Sequence, residues 1–182
     1  MLVGWSLGAP LAYLFASQYR HEVVGLVLLD AAHFPFDFNE RLWMMLPANL
    51  ARQDRERTQR FYQQMASPGF LEGGWDAAAV ADHIRGTPPL ADIPLIVLTA
   101  GKPLANPYDL TPVSFLSPQP EWPPEFVEKW EQLRLEVQAD LARRVRGARH
   151  FIVDSSDHLM WRFVPGRVTG AVLEVVETVR RR

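Results

Sequence analysis

The sequence predicts an α/β protein in which parallel strands are flanked by helices. Residues 23–29 and 93–99 are short runs that are apolar at nearly every position, as expected of strands buried on both faces of a parallel sheet. Residues 2–3 form a shorter run of the same kind, and a helical pattern separates it from 23–29. Strand, helix and strand therefore succeed one another within about 30 residues, the length of a βαβ unit.

A helix is predicted over residues 7–19, directly after the first apolar run. Pro10 falls near its start, where a helix tolerates proline better than farther in. The apolar residues at helical spacing, with Ala12 and Ala16 between them, are expected to mark its buried face: Leu7, Leu11, Leu14 and Phe15. The strand that follows ends at Asp30, the first acidic residue after it.

The chain changes character between residues 31 and 88. Helical patterns over 48–65 and 76–85 lie between two predicted strands, which indicates an inserted helical unit and not a linker. We therefore predict a core formed by residues 1–33 and 90–182, interrupted by a helical cap insert over 34–89.

The remaining elements follow in the order loop, helix, strand and helix. Residues 102–124 are rich in proline and predict an irregular surface loop. Residues 124–146 then predict a long helix with one apolar face: Phe126, Trp130, Leu133, Val137 and Leu141. A short strand over 150–154 and a turn over 155–158 precede a final helix that begins at Pro165.

Composition restricts the classes of function. The formal net charge of −2 suggests no nucleic-acid partner. The absence of cysteine excludes disulfides and thiol catalysis. No clustered His, Asp and Glu pattern has the spacing of metal ligands, so we expect neither a metal nor an organic cofactor. No apolar run approaches the ~20 residues of a membrane helix, and no signal peptide is visible, so we expect a cytoplasmic protein.

The motif Gly4-Trp5-Ser6-Leu7-Gly8 joins the first apolar run to the first predicted helix. Gly-x-Ser-x-Gly in this strand-to-helix context is the pattern of a nucleophile elbow, a tight turn that exposes a serine hydroxyl. Gly4 and Gly8 are expected to lie where a side chain would collide with a neighbouring element. Ser6 is therefore the candidate nucleophile.

In this order of elements, the chain resembles the C-terminal half of an α/β hydrolase of the serine type. The resemblance rests on the elbow around Ser6, the strand that ends at Asp30, and the strand and turn that end at His158. It implies a partial α/β-hydrolase fold, because only the later strands of the family's sheet are represented and the N-terminal strands are expected to be missing.

The resemblance implies a catalytic triad. A serine hydroxyl needs a base to take its proton and a carboxylate to orient that base. The family's chain order is Ser, then Asp or Glu, then His, and Ser6, Asp30 and His158 obey it. For the acid, Asp109 after the next strand is the alternative position used by many relatives, and Asp157 beside the histidine is a weaker one.

The remaining site residues follow from the same resemblance. The backbone N–H of Leu7, directly after the nucleophile, supplies one oxyanion donor, and the second belongs to a loop after an early strand that this sequence lacks. Trp5, Phe34 and Trp43 are candidates for an apolar substrate pocket. For Phe34 and Trp43, burial in the insert's own core is an equally open alternative.

We expect a serine hydrolase that cleaves an ester or related acyl bond in a small molecule with an apolar part. Epoxide hydrolases and haloalkane dehalogenases are disfavoured, because they form an alkyl-enzyme ester on aspartate and the residue here is serine. An acyltransferase or C–C hydrolase stays open, since one fold hosts many reactions. The alternative is a non-catalytic, truncated hydrolase-like protein or interaction module, with a homodimer formed through the exposed sheet edge at Leu2 and Val3.

Overall fold

The computed structural model describes residues 1–31, 38–65, 77–90, 92–102, 119 and 122–182. These residues form a four-stranded parallel sheet in which the strand order follows the chain order. The strands are β1 (Leu2–Trp5), β2 (Leu26–Leu29), β3 (Leu95–Ala100) and β4 (Arg149–Val153). Each lies within or overlaps a run from which the sequence predicts a strand, so the α/β class with parallel strands is confirmed.

Helices connect the strands and extend beyond the last one. They are α1 (Gly8–Gln18), α2 (Phe38–Met45), α3 (Ala48–Met65), α4 (Ala77–Arg85), α5 (Pro124–Arg143), α6 (Met160–Phe163) and α7 (Pro165–Arg180). Helix α3 has the predicted bounds, and α4 begins one residue after its predicted start. The sequence analysis missed α2, although Phe38, Leu42 and Leu46 are buried at helical spacing. It also missed α6, which is a single turn.

The two faces of the sheet have separate apolar cores. Leu26 and Leu28 of β2 point toward α1, α4 and the C-terminal end of α5. Val27 and Leu29 point toward α7 on the opposite face. Because successive side chains of a strand alternate between its faces, a strand covered by helices on both sides must be apolar throughout. All four residues of β2 are buried, as the unbroken apolar run predicts.

Helix α1 turns only part of the predicted face to the sheet, since Ala12, Leu14 and Ala16 pack on the first core. Ala9, Tyr13 and Ala16 are buried, whereas Leu11 and Phe15 are 47% and 42% exposed. The buried residues also recur at helical spacing, and two of them are small. A small residue lets the helix approach the strand closely. The need for close approach, and not the size of the apolar side chain, therefore decides which face of α1 is buried.

A third core joins the helices α2 and α3 to α5. Trp130 of α5 is fully buried there and meets Phe38 of α2 edge-on, with 6.4 Å between the ring centroids. The face predicted for α5 is confirmed, since four of its five residues are buried: Trp130, Leu133, Val137 and Leu141. Helix α5 therefore touches both the sheet and the helices of the predicted insert.

Strand β1 lies at the edge of the described sheet. Among the described residues it pairs with β2 and with no other strand. Val3 on this strand is 46% exposed. An edge strand with an exposed apolar side chain can pair with another chain, and the homodimer expected at this edge stays a prediction.

Candidate active site

Ser6 follows the last residue of β1 and lies in a strained turn. Its φ is +51°, a left-handed conformation that non-glycine residues adopt rarely and mostly at functional positions. Two residues later the chain enters α1, so Ser6 stands at the carboxyl end of a parallel strand and at the N-terminus of a helix. This is the local geometry of a nucleophile elbow.

The two glycines of the motif have different roles. A Cβ on Gly4 would lie 2.5 Å from the carbonyl oxygen of Gly8 and 2.6 Å from Cα of Ala9. Those atoms belong to the backbone of α1 and cannot move aside. A Cβ on Gly8 would meet no atom within 4 Å among the described residues. The steric prediction is therefore correct for Gly4 and wrong for Gly8, because only the strand residue faces the returning helix.

Gly4→Ala is expected to lower the free energy of unfolding by about 3 kcal/mol. This is the upper end of the usual cost of overpacking, because the added methyl group would meet backbone atoms that cannot move aside. Gly8→Ala is the matched control and should change this free energy by less than about 1 kcal/mol, because an unobstructed Gly→Ala change in a helix is mildly stabilising. Urea unfolding followed by circular dichroism measures both. Equal effects of the two substitutions would contradict the steric assignment.

His158 lies between Ser6 and Asp30. Its Nε2 is 2.8 Å from Oγ of Ser6, and its Nδ1 is 2.7 Å from Oδ2 of Asp30. The three residues are far apart in the chain and come together because the carboxyl ends of parallel strands share one edge of the sheet. Asp30 follows β2 directly and has a φ of +39°. His158 lies in the turn after β4.

The histidine and the acid are largely shielded from water. The side chain of His158 is 8% exposed and that of Asp30 is 13% exposed. With its proton on Nδ1, the imidazole donates to the carboxylate and leaves Nε2 free to accept the proton of Ser6. Electrostatic interactions are stronger in such a site than in water. The arrangement can therefore move a proton from the hydroxyl to the imidazole while the carboxylate stabilises the imidazolium.

Asp157, the weaker alternative acid, has a different partner from the imidazole. Its Oδ1 accepts a hydrogen bond from the backbone N–H of Leu159 at 2.9 Å, which stabilises the turn that carries the histidine. Of these two aspartates, Asp30 is the one in contact with the imidazole. Asp109, the other alternative, lies outside the described residues.

His150 is the histidine on the last strand, β4. Its Nε2 lies 2.8 Å from Oγ1 of Thr99 on the neighbouring strand β3. Burial, followed by the positive charge of Arg143, lowers the pKa of His150 from its ordinary value. The hydrogen bond of His150 is therefore to the sheet, whereas Ser6 and Asp30 are joined through His158.

The second oxygen of Asp30 has its own partners. Oδ1 accepts a hydrogen bond from the backbone N–H of Ala100 at 3.0 Å and lies 3.8 Å from Nη1 of Arg134. Gln138, one turn along α5, donates from Nε2 to the carbonyl oxygen of Ala31 at 2.7 Å. The sequence analysis missed both α5 residues. The sequence does carry a sign of their role, because Arg134 and Gln138 are polar residues on the face of α5 that is otherwise apolar and buried.

The four remaining site residues have different surroundings. The backbone N–H of Leu7 lies in the turn that leads into α1, where N–H groups lack intrahelical acceptors and the helix dipole favours negative charge. Trp5 donates from Nε1 to the carbonyl oxygen of His158 at 2.7 Å. Trp43 donates to Oδ2 of Asp54 at 2.8 Å and, partly buried, packs against the third core. Phe34 lies outside the described residues.

These features define an α/β protein in which one imidazole contacts both a serine hydroxyl and a carboxylate, and each of the three residues follows a parallel strand. The sequence matches the model described as the alpha/beta hydrolase family over residues 1–168, and the chain belongs to this family. A search of curated proteins found no significant match. None of the helices in the described part of the chain is long and apolar enough to cross a membrane.

Solved structures with a similar fold include enzymes from several bacteria. An epoxide hydrolase variant from Bacillus megaterium aligns with a TM-score of 0.50 at 12% identity, over 97% of this chain and 69% of its own. A protein described as a probable hydrolytic enzyme from Pseudomonas aeruginosa aligns with a TM-score of 0.48 at 21% identity, over 95% and 62%. A thermophilic esterase from Thermogutta terrifontis aligns with a TM-score of 0.46 at 23% identity, over 98% of this chain and 64% of its own. The chain thus spans less than two thirds of the length of the last two.

Proposed function

We propose that the chain carries the catalytic residues of a serine hydrolase that cleaves an ester or related acyl bond. The observation that supports this most directly is the contact of one imidazole with both the Ser6 hydroxyl and the Asp30 carboxylate. Membership of the α/β hydrolase family supports a hydrolytic reaction. The strained backbone at Ser6 and at Asp30 is a further support, since such strain concentrates at functional sites.

In the proposed reaction, His158 takes the proton of Ser6 as the hydroxyl oxygen attacks the carbonyl carbon of the ester. The carbonyl oxygen becomes an oxyanion, which accepts a hydrogen bond from the backbone N–H of Leu7. The imidazolium then gives its proton to the departing alcohol, and an acyl-serine remains. Water, deprotonated by His158, attacks the acyl-serine, and the proton returns to Ser6 as the acid leaves.

We further propose that the substrate has an apolar part. Trp5 and Trp161 flank the turn of His158, with ring centroids 6.3 Å apart, and their side chains are 36% and 53% exposed. Exposed aromatic rings beside a nucleophile offer an apolar surface for the acyl or alcohol group. The same surface would suit an acyltransferase, for which a second alcohol replaces water.

The alternative function is an interaction module without catalysis. The exposed edge strand and its apolar side chain Val3 favour this alternative. An epoxide hydrolase is a weaker candidate, because an alkyl-enzyme ester needs a carboxylate where this chain has Ser6.

Hydrolysis of p-nitrophenyl esters tests the proposed function. We expect cleavage of esters from acetate upward, with kcat/KM rising by up to about fourfold per added CH₂ as the acyl chain covers apolar surface. p-Nitrophenyl phosphate is the control substrate and should not react, because it has no acyl carbon for the Ser6 hydroxyl to attack. Ester cleavage no faster than in a blank with an inert protein would favour the interaction module.

A further inference from the structure

Arg134 is a buried cation next to the acid of the proposed triad. Its side chain is 8% exposed, and Nη1 lies 3.8 Å from Oδ1 of Asp30. The same Nη1 donates to the carbonyl oxygen of Ala100 at 2.7 Å. Its Nη2 lies 3.5 Å from Glu131, whose side chain is partly exposed, and the guanidinium lies 5.6 Å from the ring of Trp130. Asp30 is therefore the more buried of its two carboxylate partners.

A buried guanidinium cannot lose its charge and must be matched by negative charge nearby. Ala100 connects the two groups, because its N–H donates to Oδ1 of Asp30 while its carbonyl accepts from Arg134. The two oxygens of the carboxylate thus have different partners: Oδ1 faces the end of β3 and Arg134, and Oδ2 faces His158. This division fixes the rotation of the carboxyl group about its own bond.

The neighbouring turn of α5 fixes the backbone on the other side of the acid. Gln138 donates to the carbonyl oxygen of Ala31, the residue directly after Asp30. Two successive turns of α5 therefore contact Asp30 and the residue after it, and of the two side chains Arg134 is the one that brings a charge to the carboxylate. This difference makes Gln138 a suitable control for the role of Arg134.

We propose that Arg134 is a positioning residue of the triad: it holds the Asp30 carboxylate turned so that Oδ2 meets Nδ1 of His158. The inference rests on the proposed function, because it assigns Arg134 a role in the reaction of Ser6. Removing the guanidinium frees the carboxylate to rotate toward other donors, which lowers the rate of the chemical step and leaves substrate binding intact.

The test is a double-mutant cycle of Arg134→Met and Asp30→Asn, with kcat and KM measured on one p-nitrophenyl ester. In the wild-type background, Arg134→Met is expected to lower kcat by about 10- to 100-fold, the usual cost of misplacing a catalytic group by about 1 Å, with KM changed by less than about threefold. In the Asp30→Asn background, the same substitution should change kcat by less than about threefold, because the charge it holds is already gone.

Gln138→Leu is the control and should lower kcat by the same factor in both backgrounds, since it contacts backbone and not the carboxylate. Arg134→Lys keeps the charge and should recover part of the lost kcat. If the circular dichroism spectrum shows that Arg134→Met is not folded, Arg134→Lys takes its place in the cycle. Its effect on kcat should likewise be smaller in the Asp30→Asn background than in the wild-type background.

Equal losses from the Arg134 substitution in both backgrounds, with an active wild-type chain, overturn the positioning role and leave the proposed function standing. A wild-type chain that cleaves no ester overturns the proposed function and this inference with it.

Discussion

Replacing Ser6 with alanine is expected to lower kcat for ester hydrolysis by about a million-fold, the loss typical of removing the nucleophile of a serine triad. Without the hydroxyl no acyl-serine can form, and His158 and Asp30 have no group to activate. The measurement is kcat on a p-nitrophenyl ester, with urea unfolding to establish that the variant is folded.

Ser155→Ala is the matched control for this substitution. Ser155 is an exposed serine in the turn that carries His158 and has no contact with Ser6 or Asp30 among the described residues. The kcat of Ser155→Ala should stay within about twofold of wild type, because substitutions of exposed surface residues rarely change the stability of the fold. A loss in Ser155→Ala as large as that in Ser6→Ala would contradict the role of Ser6.

Asp30→Asn is expected to lower kcat by about 10,000-fold with little change in the fold, as for the amide variant of a triad acid. The amide is nearly the size of the carboxylate, but it does not carry the charge that stabilises the imidazolium. The amide can also turn its NH₂ group toward Nδ1, which favours the wrong tautomer of His158. The measurement is again kcat and KM on one ester.

The competing acids supply the controls for Asp30. Asp157→Asn removes the acceptor for the N–H of Leu159 only in part, because an amide oxygen also accepts, and kcat should fall by less than about tenfold. Asp109→Asn should leave kcat within about threefold of wild type, if the acid is Asp30. A loss near 10,000-fold in Asp109→Asn together with a mild effect of Asp30→Asn would reverse the assignment of the acid.

Much of the candidate site could be predicted from sequence because its residues follow strands that are unmistakable. Ser6 stands between an apolar run and a helix, and Asp30 ends a run that is apolar throughout. In a parallel sheet, such positions share one edge. The family's chain order Ser, Asp, His requires a histidine late in the chain. His158 meets this requirement, because it lies in the turn after the last predicted strand. The structure brings these three side chains into contact, while their catalytic roles stay predictions.

Other features could not be read from the sequence because they depend on packing distances. Both faces of α1 show helical spacing, and only the close approach to β1 at Gly4 buries the one with Ala9 and Ala16. The same contact explains why position 4 of the motif has no room for a side chain while position 8 has room for one. Arg134 and Gln138 stand out in the sequence as polar residues on the apolar face of α5, but their partners could not be predicted. Only the structure shows that Arg134 lies beside Asp30 and that Gln138 binds the carbonyl oxygen of Ala31.

Labelling with a fluorophosphonate tests whether Ser6 is an activated nucleophile, since this reagent phosphonylates an activated serine and spares ordinary hydroxyls. We expect one adduct per chain, mapped by mass spectrometry to the peptide that contains Ser6. The adduct should be absent from Ser6→Ala, and its formation should be strongly slowed in Asp30→Asn. An unlabelled folded chain, beside a known esterase that is labelled in the same tube, would contradict the claim, as would an adduct that maps to a different serine.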